Sequence, residues 1–148
     1  MSAPSPAMVV LLLETLHPES QTLLSEVGEV VVADNERDLD RIPFERVRAI
    51  LTRSTGRVSR ELLDRCPRLQ VVARAGVGLD NVDLGTAKRL GIPVLFTPGA
   101  NTATVAEHTI ALMLTFTRRI DPIARAVAAG RWQERARYDG DEAQGKTL

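Results

Sequence analysis

The chain has 148 residues, in which 19 lysines and arginines balance 19 aspartates and glutamates, with 44% hydrophobic and 26% charged positions. This composition describes a soluble globular protein of about one domain, and its zero formal charge removes the electrostatic basis for wrapping nucleic acid or an anionic membrane. The longest apolar run, residues 7–13, is far below the roughly 20 residues that a membrane span requires.

The opening Met1-Ser2-Ala3-Pro4-Ser5-Pro6 lacks the basic start of a signal peptide, and the single Cys66 cannot form an internal disulfide, so a cytoplasmic setting is expected. Five Val/Ile/Leu-rich runs follow at residues 8–13, 29–33, 47–51, 69–73 and 93–96. Their lack of polar alternation predicts strands covered on both faces. Helix punctuation separates them. Pro18 suits a first helical position with Gly28 as the stop, Ser59 caps a helix before Pro67, and Asp83 caps one ended by Gly91 and Pro93. Strand-helix units with short connections close as a parallel sheet with right-handed crossovers, which predicts a doubly wound α/β domain.

The texture changes after Pro98. Thr104-Val105-Ala106-Glu107 reads as a capping box opening a helix that is apolar around most of its circumference, as far as Arg118-Arg119. A second helix is expected over residues 122–129, stopped by Gly130, and then a polar loop over residues 131–145. The ending Lys146-Thr147-Leu148 resembles a turn entering another strand, so the chain reads as interrupted.

Three places carry candidate chemistry. Gly76-Val77-Gly78, directly after the fourth strand, fails as a dinucleotide fingerprint, because Asn81 stands at the third glycine position and Thr97 where an acidic residue would end the next strand. It reads either as a backbone-amide nest for a small carboxylate or phosphate, or as a tight turn needing positive backbone angles. Arg53-Ser54-Thr55 follows the third strand at the carboxyl edge, where open α/β sheets bind ligands, and an arginine fork with hydroxyls suits an anionic group as well as it suits solvent. Asn101 precedes the apolar helix, where capping or an Asx turn accounts for it. Glu14-Thr15-Leu16-His17-Pro18, after the first strand, offers little for a phosphate loop. His17 and His108 have no nucleophile or metal partner at useful spacing, and Cys66 reads as a small buried hydrophobe. No metal-ligand set is expected.

Taken in order, Arg74-Ala75-Gly76-Val77-Gly78-Leu79-Asp80-Asn81-Val82-Asp83, then Gly91-Ile92-Pro93-Val94, Thr97-Pro98-Gly99-Ala100-Asn101 and Val105-Ala106-Glu107-His108-Thr109-Ile110-Ala111-Leu112 resemble one family. It is the D-isomer-specific 2-hydroxyacid dehydrogenases, most closely their 3-phosphoglycerate dehydrogenase-like branch. The resemblance implies a flavodoxin-like substrate domain over residues 1–100, and over residues 101–148 a linker helix with the incomplete start of a Rossmann domain. It further implies that Arg53 and Ser54 face the acidic groups of the substrate, that Val77 and Gly78 offer amides to its carboxylate, and that Asn101 lines the cleft. Val77 and Val105 would stand beside the nicotinamide of NAD, with NADP an open alternative. The implied reaction is hydride transfer between C2 of a D-2-hydroxy acid, 3-phosphoglycerate or similar, and that cofactor. A histidine backed by a carboxylate would move the proton and an arginine would polarise the oxygen.

By the same resemblance, the cofactor loop begins just after the position of Leu148, and the chemical arginine, glutamate and histidine come later still. No catalytic residue is therefore expected here. The chain alone is expected to be inactive, with homodimerisation a property of the full-length protein. The competing reading is a stand-alone small-acid binding module or subunit partner without catalysis. An apolar helix without its sheet would expose about six side chains, each worth about 1.5–3 kcal/mol when buried.

Overall fold

The computed structural model describes residues 8–147, apart from the side chains of Glu36 and Arg37. The opening Met1 to Pro6 and the strand expected to start at Leu148 lie outside the described residues. Each apolar run forms a strand: β1 (Val9–Leu12), β2 (Glu29–Val32), β3 (Val47–Thr52), β4 (Val71–Arg74) and β5 (Val94–Phe96). All pair in parallel in the order β2-β1-β3-β4-β5, the flavodoxin-like arrangement of a doubly wound sheet. The chain leaves β1 for β2 on one side and returns to β3 on the other, so the strand order reverses between β1 and β3.

The helices between the strands follow their caps. α1 (Pro18–Ser25) starts on its proline, and α2 (Glu36–Leu39) is a single turn that the sequence pattern did not announce. α3 (Arg60–Asp64) is capped by the Ser59 hydroxyl, which accepts from the Leu62 amide at 3.3 Å. In α4 (Leu84–Arg89) the Asp83 carboxylate accepts from the Thr86 amide at 2.8 Å, and Gly91 takes a left-handed φ of 71° just beyond its end. Gly28 is not the helix stop expected of it. α1 ends at Ser25, and Gly28 lies where a Cβ would meet the Met8 carbonyl oxygen at 2.6 Å, so the backbone crossing requires it.

One face of the sheet holds the larger core, in which Val9, Leu11, Ile50 and Val72 pack with Leu62, Leu63 and Cys66 from the α3 region and Ala87 from α4. The other face is built on Val10, Leu12 and Ala49, with half-buried Leu16, Leu24, Leu51 and Val71 around them. Cover on both faces holds for β1, every residue of which is buried. It fails at β5, at one edge of the sheet, where Leu95 is 58% and Phe96 44% exposed.

The chain divides into two compact units, Met1–Ala100 and Asn101–Leu148. The second contains α5 (Thr102–Thr117) and α6 (Ile120–Ala128), joined through Arg119 in the left-handed region at φ 53°. Gly130, at φ 72°, follows α6 as expected, and the segment expected to be loop contains a 3-10 stretch, Trp132–Arg137, with the Arg135 guanidinium 4.3 Å from the centre of the Trp132 ring. The capping box at Thr104 is not formed. The cap lies three residues earlier, at Asn101, and the Asn101 side chain makes no capping hydrogen bond. Val105, Ile110, Leu112, Leu114 and Phe116 are exposed along α5, the last at 73%.

Candidate functional site

Parallel strands deliver their carboxyl ends to one edge, and in this sheet the loops after β1, β3 and β4 meet there. The β3 strand ends on Thr52, which is completely buried. A buried hydroxyl requires partners, and it has three: it lies 3.0 Å from Glu14 Oε2 and 2.8 Å from the Gly56 carbonyl, and it accepts from Asn81 Nδ2 at 3.1 Å. Among the described residues, no buried side-chain polar atom lacks a partner.

Glu14 is the centre of this edge. Its Oε2 accepts from the Arg53 amide at 2.7 Å and the Ser54 amide at 2.9 Å, and its Oε1 from the Thr55 amide at 2.6 Å and the Thr55 hydroxyl at 3.1 Å. Three successive amides converging on one carboxylate form an anion nest. Partial burial pushes the Glu14 carboxyl upward, but the hydrogen bonds from Arg53, Ser54, Thr55 and Thr52 outweigh it and bring it down to about 2. Glu14 is therefore a carboxylate throughout the neutral range. The neighbouring connection is held in the same way, since the Thr15 amide donates to Asp34 Oδ1 at 3.0 Å.

The β4 loop is tied to this arrangement. Arg74 Nε donates to Asn81 Oδ1 at 3.0 Å, and Asn81 Nδ2 donates to the Gly56 carbonyl at 2.7 Å. Val58 and Val82 form a parallel bridge through Val58 N to Asn81 O and Asp83 N to Val58 O, both 2.9 Å. The Ala75 amide donates to the Thr52 carbonyl at 2.9 Å and the Thr97 amide to the Gly76 carbonyl at 3.1 Å. Arg53, Ser54, Val77 and Gly78 therefore belong to adjoining loops on one edge.

The two readings of the β4 glycines are resolved in part. Neither Gly76 nor Gly78 has a positive φ, so a turn that demands such angles is not the reason for them. Space is. A Cβ on Gly76 would lie 1.8 Å from Arg74 Nη1, and one on Gly78 would lie 2.8 Å from Asp80 Oδ1. Among the described residues the amides of Val77 and Gly78 donate to no protein acceptor, and the Arg53 guanidinium pairs with no carboxylate. These are unspent donors on an exposed edge.

Asn101 and Val105 belong to the second unit, Asn101 at the start of α5 and Val105 53% exposed on its second turn. The histidines take no part at the edge: His17 precedes α1 with Nδ1 3.9 Å from Glu19, and His108 lies on the exposed surface of α5. Cys66 is a core residue, and burial pushes its thiol up to about 11 against the pull of Arg65. Among the described residues no group of side chains has the composition of a metal site, and no helix is long and apolar enough to cross a membrane. A dinucleotide is also poorly served. The glycines of the β4 loop do not open a helix, and the short α4 begins six residues after Gly78 under its own Asp83 cap, so no cradle for a pyrophosphate is formed there.

An open cleft of about 600 Å³ lies beside this edge, lined by Leu13, Asp34, Thr55, Arg57, Glu61 and Arg65 among others. Of the residues singled out from the sequence for chemistry, Thr55 lines it, while Arg53, Ser54, Val77, Gly78, Asn101 and Val105 do not. Its acidic Asp34 and Glu61 balance its basic Arg57 and Arg65, so the unspent donors, rather than the volume, mark the candidate site.

Sequence reasoning passed over Glu14 and Asn81. Their signals were an acidic residue two positions beyond the end of β1 and an asparagine after the glycines, and both need the strand order before they acquire partners.

The model for "D-isomer specific 2-hydroxyacid dehydrogenase, catalytic domain" matches residues 10–146. Among curated relatives, the D-3-phosphoglycerate dehydrogenase of Methanocaldococcus jannaschii is 38% identical over 142 residues, which are 94% of this chain and 26% of that protein. The hydroxypyruvate reductase of Thermotoga maritima is 35% identical over 137 residues, 91% of this chain and 44% of that protein. Among solved structures, the NADPH-dependent glyoxylate/hydroxypyruvate reductase of Sinorhizobium meliloti, in complex with NADP and malonate, aligns with a TM-score of 0.81 at 28% identity, covering 95% of this chain and 44% of its own. The NAD-dependent formate dehydrogenase of Staphylococcus aureus, in complex with NAD, gives 0.76 at 28% identity, covering 94% and 47%. The chain thus spans between about a quarter and a half of the length of the proteins it matches.

Proposed function

Because the chain belongs to the D-isomer specific 2-hydroxyacid dehydrogenase family, we propose that its first unit is the substrate-facing part of an oxidoreductase acting on a D-2-hydroxy acid with NAD or NADP. The observation that supports this best is the pairing, on one sheet edge, of two unspent amides at Val77 and Gly78 with the unpaired Arg53 guanidinium. A carboxylate has two oxygens that suit two adjacent amides, and a guanidinium suits a second acidic group. In this reading Val77 and Gly78 take the substrate carboxylate, while Arg53 and the Ser54 hydroxyl take the remaining acidic or hydroxyl group. A phosphate-bearing acid such as 3-phosphoglycerate fits Arg53, and so does a plain dicarboxylate.

The family likeness alone adds Asn101 as a substrate-facing residue and Val77 and Val105 as neighbours of the nicotinamide. The cofactor, when bound, supplies the hydride acceptor or donor; the roles assigned to this chain are to bind the acid and orient its C2. The proton-transfer groups and the pyrophosphate cradle are assigned to sequence outside these residues, so residues 1–148 alone turn over no substrate. Dimerisation and a cytoplasmic setting, the latter in keeping with the free, buried Cys66, complete the proposal.

The experiment is amide-resolved titration of the protein with malonate and with 3-phosphoglycerate, alongside reduction of 2-oxo acids by NADH and NADPH in the native polypeptide that contains these residues. Shifts at Val77 and Gly78, lost in Arg53→Ala for the doubly acidic ligands, are expected. Binding that leaves both amides unmoved would falsify the acid-facing assignment.

A further inference from the structure

The loop after β3 presents three consecutive amides toward the carboxyl edge, the arrangement that open α/β folds use to bind anions. Here the chain fills it with its own carboxylate. Every Glu14 contact within this nest is a donor from residues 52–55, and both carboxylate oxygens are used. A second anion placed there would meet a like charge at contact distance. An acid arriving at this edge is therefore turned away from the backbone of the β3 loop and toward what the loop leaves outward, the Arg53 guanidinium and the Ser54 hydroxyl, neither of which contacts Glu14.

We propose that Glu14 is a positioning residue: by occupying the amide nest of Arg53, Ser54 and Thr55 it fixes the loop in the one shape that turns the Arg53 and Ser54 side chains outward for the acid. This rests on the acid-binding reading of Arg53 given above. The fixing extends beyond the loop. Thr52 bridges Glu14 to Gly56, and Asn81 joins Thr52 and Gly56 to Arg74 on the next strand, so one continuous hydrogen-bond path registers the β3 loop against the β4 loop. Gly56 permits it, because a Cβ there would lie 2.6 Å from Leu13 Cβ and 3.0 Å from Thr52 Oγ1. The distance between the Arg53 side chain and the Val77–Gly78 amides, which sets the length of acid accepted, is thereby built into the fold.

The test uses the native polypeptide and reads two quantities. In the unsubstituted protein, the amides of Arg53, Ser54 and Thr55 should exchange with solvent at least about tenfold more slowly than those of Val77 and Gly78, although both loops are exposed. In Glu14→Gln, which keeps the size and replaces one acceptor oxygen with a donor, that protection should disappear. The KM for the 2-oxo acid should rise about tenfold with kcat within about twofold and the KM for the dinucleotide unchanged. Glu14→Asp, which keeps the charge, should recover most of the KM. Equal exchange at the two loops overturns the proposal without any variant. So does an active Glu14→Gln enzyme with unaltered KM, or one in which both KM values and kcat worsen together, as in general loosening. An absence of turnover on any 2-oxo acid by the unsubstituted polypeptide instead overturns the acid-binding reading itself, and reduces Glu14 to a cap of the loop.

Discussion

The loops after β3 and β4 start from neighbouring positions on one sheet edge and have opposite fates. In the first, the amides of Arg53, Ser54 and Thr55 are consumed by Glu14. In the second, the amides of Val77 and Gly78 are left without a protein acceptor among the described residues. An exposed amide loses little while water serves it, so both states are tolerable for stability. On the proposed acid-binding reading, the difference concerns function. A nest satisfied from within is rigid and unavailable, whereas an unsatisfied one held by a rigid neighbour is ready for a ligand at little ordering cost.

The contrast is broken most severely by crowding the satisfied loop. Gly56→Ala would drive a methyl into Leu13 Cβ, backbone-proximal and unable to yield, and into the Thr52 hydroxyl. We expect a loss of about 2 kcal/mol, read by chemical denaturation, with the Arg53–Thr55 amides losing exchange protection. A variant as stable as the parent would mean that the loop has slack, and the rigid half of the comparison would fail.

The next effect is electrostatic. The Glu14 carboxyl falls from an ordinary 4.5 to about 2 in the folded chain, so its contribution is fully present above about 4.5 and is lost as pH falls through that window toward 2. Screening at this half-exposed position leaves about 1–2 kcal/mol of the full linkage. Denaturation between pH 5 and 2.5 should show the acid limb flatter in Glu14→Gln than in the parent. Asp83, lowered mainly by its hydrogen bonds from Thr86, contributes to the same limb in both proteins and cancels in the difference.

The sequence made one loop legible and not the other. Glycines beside a strand end mark the loop at Gly76 and Gly78 for attention, and the apolar runs with Ser59, Asp83 and Gly91 announce five strands and their helices, because these signals are local. Glu14 and Thr55 are 41 residues apart, and nothing near Glu14 marks it as other than a solvated acid. Only the placement of β3 beside β1 brings the carboxylate over the three amides. The same limit explains the misplaced capping box. Thr104 and Glu107 have the right spacing, but Asn101 and Thr102 continue the helix backward through a turn that backbone bonds alone sustain, the Val105 amide donating to the Asn101 carbonyl at 2.9 Å.

Between the two loops stands Asn81, and removing it separates them. Asn81→Ala deletes the donors to Thr52 and Gly56 and the acceptor for Arg74, and about 1–2 kcal/mol should be lost. Thr52 keeps Glu14 and Gly56, so the β3 loop should retain its amide protection while affinity for a doubly acidic ligand falls. Loss of protection in this variant would show that the β3 loop depends on β4, and not on Glu14 alone, for its shape.

The smallest expected effect on stability is the sharpest test of the open loop. Gly78→Ala introduces a methyl whose nearest neighbour is Asp80 Oδ1 at 2.8 Å, the end of a flexible, exposed side chain that can swing aside, and the backbone there needs no positive φ. Stability should stay within about 0.5 kcal/mol of the parent. Malonate affinity should nonetheless fall on the proposed reading, because the methyl adds bulk next to an amide assigned to the acid and disturbs the neighbouring Asp80 carboxylate. The same substitution at Gly56 costs stability through packing alone, so the two glycines should part company: one variant unstable, the other stable but unable to hold an acid. If Gly78→Ala binds malonate as the parent does, the unspent amides are merely solvated, and the difference between the loops has no functional content.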